Sequence, residues 1–411
     1  MYVPAWPLLN PFYFLRSEAS GAPPFPLNAP NRQAFYVARS GIYHLIRALR
    51  LKKNEAVLMP DYHSGVEVWA VRAAGARVRY YHINRKMELD LSELSDLCRP
   101  NVRAVYLIHY LGWAQPVEAV RDLCRERGIV LIEDCALSLL SEVAGRPLGA
   151  FGDYAIFCLY KTLPIPNGGL LVQNGQPLDA LTALKTEAGD ALSLAARSAE
   201  LMLEWIHSRS DLVGGALSLA KRAAGKTLSA LGVERLPVAD ITPAFDSSGY
   251  QVKRLATGMS PLCAALLKRF DFESIRRKRR ENYLFLHELL AGKVPSLVRE
   301  LEEGMCPLFF PLLVADKHAA AQALRSRGIS AVEFWNYGYP EASAHTSADA
   351  QFLRDHALEL PIHQDVTEAQ IEYMAEQVLR LLFPRLAHKE LNPQRSRPRG
   401  RRLFVRSLHG N

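Results

Sequence analysis

Between about residues 40 and 175, short apolar, β-rich runs alternate with helical patterns, and the runs stop on charged or polar residues. That alternation predicts a mostly parallel sheet wound with crossover helices, because consecutive parallel strands can be joined only by a long return connection. The predicted strands are AVLMP (56–60), RVRYYHI (77–83), AVYLIHY (104–110) and IVLIED (129–134), then YAIFCLYK (154–161) and, after a Pro-rich turn, GGLLVQN (168–174). Ligands of such sheets sit beyond the carboxyl ends of the strands, which puts Asp61, His109 and Asp134 where chemistry is expected.

The remaining sequence divides around this core. Residues 1–37 are apolar but studded with proline, lack the basic start of a secretory signal, and read as an N-terminal arm. Residues 38–250 read as the large domain, with an Ala/Leu-rich helical insertion at about 190–235, and 251–383 as a small α+β domain. Within the insertion, LVGGALSLAKRAAGKTLSAL (212–231) allows weak contact with a membrane surface, although packed core or a dimer interface is the commoner use of such a pattern. Apolar stretches are broken by Arg, Lys or Glu well short of the roughly 18 to 20 residues of a membrane-spanning helix, so none is expected.

Much of the formal charge of +8 lies in the tail, where residues 384–411 carry seven Arg and one Lys against one Glu. A basic, Pro-rich end is read as disordered and solvated, and nucleic acid is not an expected partner. The six cysteines show no paired CxxC spacing, which argues against zinc and against a disulfide framework. No metal is expected, and a reducing cytoplasmic setting fits.

Two residues carry the chemical reading. Asp134 closes an apolar strand in the string IEDCA, and Lys161 ends another in FCLYKTLPIPNGG, just ahead of Gly168 and Gly169. Alone, the aspartate reads as a helix cap and the lysine as solvated surface. Together they suit pyridoxal 5'-phosphate. A carboxylate against the pyridine nitrogen keeps it protonated, so the ring can act as an electron sink. A lysine amine can form a Schiff base and, once free, move the substrate's Cα proton.

These landmarks resemble the sugar-nucleotide aminotransferases of the DegT/StrS type. ARSGIYHLIRAL (38–49) resembles the phosphate-binding turn and helix, VLMPDY (57–62) the strand leading to the ring-stacking residue, and IHYLGW (108–113) the strand-end His and Gly. EDCALSLLSEVAGRPLGAFGDYAIF (133–157) is similar to the stretch from the pyridine-binding Asp through its Gly landmarks, and KTLPIPNGG supplies the lysine and the double glycine. The resemblance implies the type I fold of pyridoxal-phosphate enzymes, with a seven-stranded-type sheet in the large domain, and a homodimer. It also implies amino transfer from glutamate to a nucleotide-linked keto sugar. It places Arg39, Ser40 and Gly41 at the cofactor phosphate, Tyr62 or His63 against the ring with His63 favoured, and Ala136 among the cofactor contacts. Retention of lysine at 161 points to transamination rather than the family's sugar-dehydration branch.

The sequence also departs from the pattern. Leu137 stands where a glutamine or histidine bonds the cofactor's phenolic oxygen, Cys158 where a serine holds the phosphate, and Ser64 where an aromatic ring stacks. The Asn-x-Arg motif lent by a partner subunit has no counterpart near Ala256 to Met259. These changes leave two alternatives open. One is an altered scaffold that acts by binding a partner or a membrane surface. The other is a pyridoxal-phosphate enzyme acting on a plain amino acid or amine.

Overall fold

The computed structural model describes residues 1–19, 21–209, 255–297, 300–336, 338–339 and 346–383. The tail from 384 and the stretch 212–231 lie outside them.

The large domain is built on a seven-stranded sheet of order β1-β9-β8-β5-β4-β2-β3. Its strands are β1 (Arg32–Phe35), β2 (Ala56–Pro60), β3 (Arg77–Tyr81), β4 (Val102–Ile108), β5 (Val130–Asp134), β8 (Tyr154–Cys158) and β9 (Gly169–Gln173). A small antiparallel pair, β6 (Glu142–Val143) and β7 (Arg146–Pro147), precedes β8. Strands β3, β2, β4, β5 and β8 pair in parallel, and β8–β9 and β9–β1 pair antiparallel. Full burial of β2, β8 and β9 explains why their sequences read as continuous apolar runs rather than alternating ones.

The chain steps from β2 outward to β3 and then back across to β4, so the strand order reverses between β2 and β4. The carboxyl-end loops there belong to the crevice in which open α/β sheets bind ligands. Helices α1 (Ala38–Leu49), α2 (Val66–Ala73), α3 (Leu91–Leu97) and α4 (Val117–Glu126) connect these strands, followed by the short α5 (Asp179–Thr182) and by α6 (Ala191–Arg209). Helix α6 opens the predicted insertion.

The segment read as an arm is not all arm. Arg32–Phe35 forms the edge strand β1, whose four residues are too few to show a periodicity in the sequence. Further upstream, Val3 bridges Ile329, and the Leu8 amide donates to Asp365 at 3.0 Å, which docks the N-terminus on the second domain. That domain pairs Phe309–Leu313 antiparallel with Ala357–Pro361 and covers them with helices, of which Phe272–Leu290 packs on Glu368–Leu382. Asp271, Asp316, Ser347 and Thr367 accept backbone N–H bonds at the helix starts, and Thr367 and Gln370 form a full capping box. No helix among the described residues is long and apolar enough to cross a membrane.

One close approach fixes the site's geometry. A Cβ on Gly169 would lie 2.4 Å from the Ala38 nitrogen, so β9 meets the start of α1 with no room for a side chain. Gly169→Ala is therefore expected to push α1 off the sheet and to cost about 1–3 kcal/mol, as overpacking does. Urea denaturation of the variant beside the parent checks this.

Candidate active site

Strand β5 delivers Asp134 to the sheet edge with only 7% of its surface exposed. Its Oδ2 accepts from the Tyr106 hydroxyl at 2.6 Å and its Oδ1 from the Ala136 amide at 2.8 Å. Burial pushes this carboxyl above its ordinary range, opposed by those two bonds and by the positive charge of Lys161. Ala136 thus contributes its backbone to the orientation of the aspartate.

The preceding residue faces elsewhere. Glu133 is fully buried and accepts from the Gly149 and Phe151 amides, each at 2.8 Å, and from His109 Nε2 at 3.1 Å. His109 Nδ1 in turn accepts from the Gln115 amide at 3.1 Å, which leaves Nε2 as the proton-bearing nitrogen. His109, Glu133 and Cys135 lie close enough together to hold a metal ion. The histidine and the glutamate, however, are already engaged in pinning the 149–152 turn, and burial raises the Cys135 thiol rather than preparing a thiolate.

Lys161 closes a short 3₁₀ turn, Leu159–Lys161, that follows β8. The side chain is half-buried, its Nζ lies 5.8 Å from the centre of the Phe334 ring, and its charge acts on both Asp134 and Cys158. The amine is therefore near enough to Asp134 for its charge to be felt there, and Phe334 of the second domain lies over it. The roof is a turn in which the Phe334 amide donates to Glu359 Oε2 at 3.0 Å, Lys317 Nζ donates to the Phe334 carbonyl, and Trp335 is left-handed at φ 52°.

Beside Gly169, the partner of Cys158 in the sheet, stands the start of α1. Val37, its N-cap, makes no side-chain hydrogen bond, so the first turn has no side-chain cap. Ser40 is fully buried, and its Oγ has no partner. Gly41 brings α1 against Leu171 and Ile156, 3.3 and 3.4 Å from where a Cβ would stand. Arg39 is half-buried, with its charge acting on Cys158 and Tyr160. Arg39 and Lys161 thus both act on Cys158, at the end of β8.

Tyr62 and His63 go elsewhere, which corrects the stacking expectation. The Tyr62 ring is buried against Trp335 at 4.9 Å and Tyr110 at 5.6 Å, under the Arg354 guanidinium at 5.5 Å. The His63 ring stacks on Tyr80 at 5.7 Å, and burial, followed by the Arg354 charge, drives its pKa down to about 3. Both rings brace the domain seam, where Arg354 donates to the carbonyls of His63 (3.0 Å), Trp335 (2.9 Å) and Asp61 (3.3 Å).

In the first turn of the helix that follows, the side chain that feels the charge of Asp134 is Glu67, which the sequence reading passed over. Glu67 is buried, accepts from the Ser64 amide at 2.8 Å and from its hydroxyl, and is raised by burial and then by the negative charge of Asp134. The spacing Ser-x-x-Glu is the signal that could have found it. Leu137 is buried and offers no polar group.

Residues 35–191 match the model of the DegT/DnrJ/EryC1/StrS aminotransferase family. Over 130 residues the chain is 29% identical to GDP-perosamine synthase of Vibrio cholerae, which is 31% of this chain and 35% of that one. Over 134 residues it is 31% identical to dTDP-4-dehydro-2,3,6-trideoxy-D-glucose 4-aminotransferase of Saccharopolyspora spinosa, 32% and 35% of the two chains. The chain thus spans about a third of the length of the curated relatives it matches. Its fold is that of solved aminotransferases. PseC of Helicobacter pylori, involved in pseudoaminic acid biosynthesis, superposes with a TM-score of 0.64 at 15% identity over 92% of this chain and 98% of that one. TlmJ of Streptoalloteichus hindustanus superposes at 0.60 with 19% identity over 86% of each.

The raised carboxyl of Asp134 carries a stability prediction. An acid whose pKa is higher folded than unfolded stabilises the fold in its protonated form, and that stability is lost as pH rises from the unfolded value through the folded one. Asp134→Asn is therefore expected to raise the melting temperature of the cofactor-free protein at neutral pH. The gain should shrink to nothing once pH falls below the ordinary Asp range near 3.8. Thermal melts of both proteins across pH test this, and a gain that persists at low pH would refute it.

Proposed function

We propose, from the premise that residues 35–191 are a DegT/DnrJ/EryC1/StrS aminotransferase family domain, that this protein is a pyridoxal-phosphate aminotransferase acting on a nucleotide-linked keto sugar. Glutamate is the proposed amino donor, and a homodimer the proposed assembly. The observation that carries the reading is a buried carboxylate, Asp134, that feels the charge of the Lys161 amine. A buried acid raised by desolvation is stabilised as an anion by a nearby cation, which a protonated pyridine nitrogen would provide.

The residues present fit the cofactor at both of its ends. Ser40 Oγ is a buried polar atom without a partner beside an uncapped helix start, a setting suited to a phosphate. Tyr106 and the Ala136 amide hold the Asp134 carboxylate in orientation while leaving it lone pairs to accept a further N–H. When bound, pyridoxal phosphate supplies the electron sink that makes the substrate Cα–H acidic.

The chain's own residues do the rest. Asp134 holds a proton on the ring nitrogen. Lys161 would hold the carbonyl end of the cofactor and would, as a free amine, carry the substrate's Cα proton. Phe334 covers the amine and excludes water from it. The relatives' printed names, a perosamine synthase and a 4-aminotransferase of a nucleotide-linked dehydro sugar, support the choice of acceptor.

The test is direct. Purified protein given pyridoxal phosphate should show a visible absorbance band that glutamate bleaches and a nucleotide-linked keto sugar restores, with the amino sugar as product. Lys161→Ala should abolish the band and lower turnover by roughly a hundred- to ten-thousand-fold. A colourless wild-type protein that cannot be reconstituted would overturn the reading.

A further inference from the structure

We infer that Arg197, on α6, is a ligand of the cofactor's phosphate, supplied by the same chain that carries Lys161. The inference rests on the proposed cofactor reading and deepens it. Among the described residues, few buried side-chain nitrogen or oxygen atoms lack a hydrogen-bond partner, and two of them are Ser40 Oγ and Arg197 Nε. Far apart in sequence, Arg197 and Arg39, the neighbour of Ser40, both act on Tyr160, the residue before Lys161. Burial raises the Tyr160 hydroxyl, Cys158 adds to that, and the positive charges of Arg39 and Arg197 oppose it.

Arg197 is partly satisfied and partly not. Its Nη1 pairs with Glu200 Oε2 at 2.7 Å, with the two side chains 20% and 23% exposed. Its Nε faces inward with no acceptor. A guanidinium has five N–H donors in a fixed plane, and leaving one buried and unmade is costly. The missing acceptor has an inferable charge. Two guanidiniums act on the Tyr160 hydroxyl, and the uncapped start of α1 adds its partial positive charge. A dianionic phosphate monoester satisfies all of these at once, and the planar guanidinium fork suits its oxygens. Lys161 anchors the carbonyl end of the cofactor next to Tyr160, which favours the cofactor's phosphate over the diphosphate of a nucleotide sugar.

The experiment compares pyridoxal 5'-phosphate with pyridoxal, which differs only in lacking the phosphate. Both are titrated by visible absorbance into the full-length wild type, Arg197→Ala, Arg197→Lys and Glu200→Gln. Arg197→Ala should weaken pyridoxal phosphate about ten-fold or more, the loss of one charge-assisted hydrogen bond, and leave pyridoxal unchanged. Arg197→Lys should recover part of the loss, and Glu200→Gln none of it should cause. Inorganic phosphate should raise the melting temperature of the cofactor-free wild type more than that of Arg197→Ala. Equal weakening of both ligands would overturn the inference in favour of a structural role. Unchanged cofactor discrimination with a raised KM for the nucleotide sugar would overturn it in favour of the substrate's diphosphate. A wild type that takes up pyridoxal phosphate no better than pyridoxal would overturn it while leaving the cofactor reading intact, and a wild type that takes up neither would overturn both.

Discussion

The desolvated carboxylate of Asp134 is the constraint on which the rest of the site depends. Parallel pairing with β4 on one side and β8 on the other fixes the end of β5, so this side chain cannot retreat into solvent. Its ionised form is penalised by burial and is eased first by the Tyr106 hydroxyl and the Ala136 amide, then by Lys161. Glu67 is a second buried acid, raised by burial and then by the negative charge of Asp134. A fold that keeps two acids this dry gives up stability, and the proposed cationic ring nitrogen would offset that cost.

The sheet was largely legible in the sequence because its information is local. Apolar runs bounded by polar residues marked β2 at its observed limits and β3, β4, β5, β8 and β9 to within two or three residues. The overshoot at β8 has a physical origin, since the apolar run continues into a 3₁₀ turn that carries Lys161 off the sheet. Strand β1 escaped because a four-residue edge strand of mixed burial has no period to read.

The site was legible only in part. Asp134 and Lys161 could be paired by chemistry and by resemblance, whereas contacts set by tertiary packing left little trace. His63 was favoured for stacking because it is flat and lies near the expected position, but its ring is spent on Tyr80. Phe334 and Arg197 come from segments distant in sequence and reach Lys161 and Tyr160 only once the second domain and α6 have docked. Glu67 was hidden within a helix start, where an acidic residue ordinarily means nothing more than a favourable dipole.

The seam between the domains has a mechanical consequence. Arg354 belongs to the second domain, yet it grips the peptide oxygens of Asp61 and His63 in the first as well as that of Trp335 in its own. Prising the seam apart would strand a guanidinium two acceptors short where water is scarce. The second domain is therefore riveted to the β2 rim by a side chain that cannot let go by degrees, and the buried Arg279 repeats the device where it donates to the Thr162 carbonyl, one residue past Lys161.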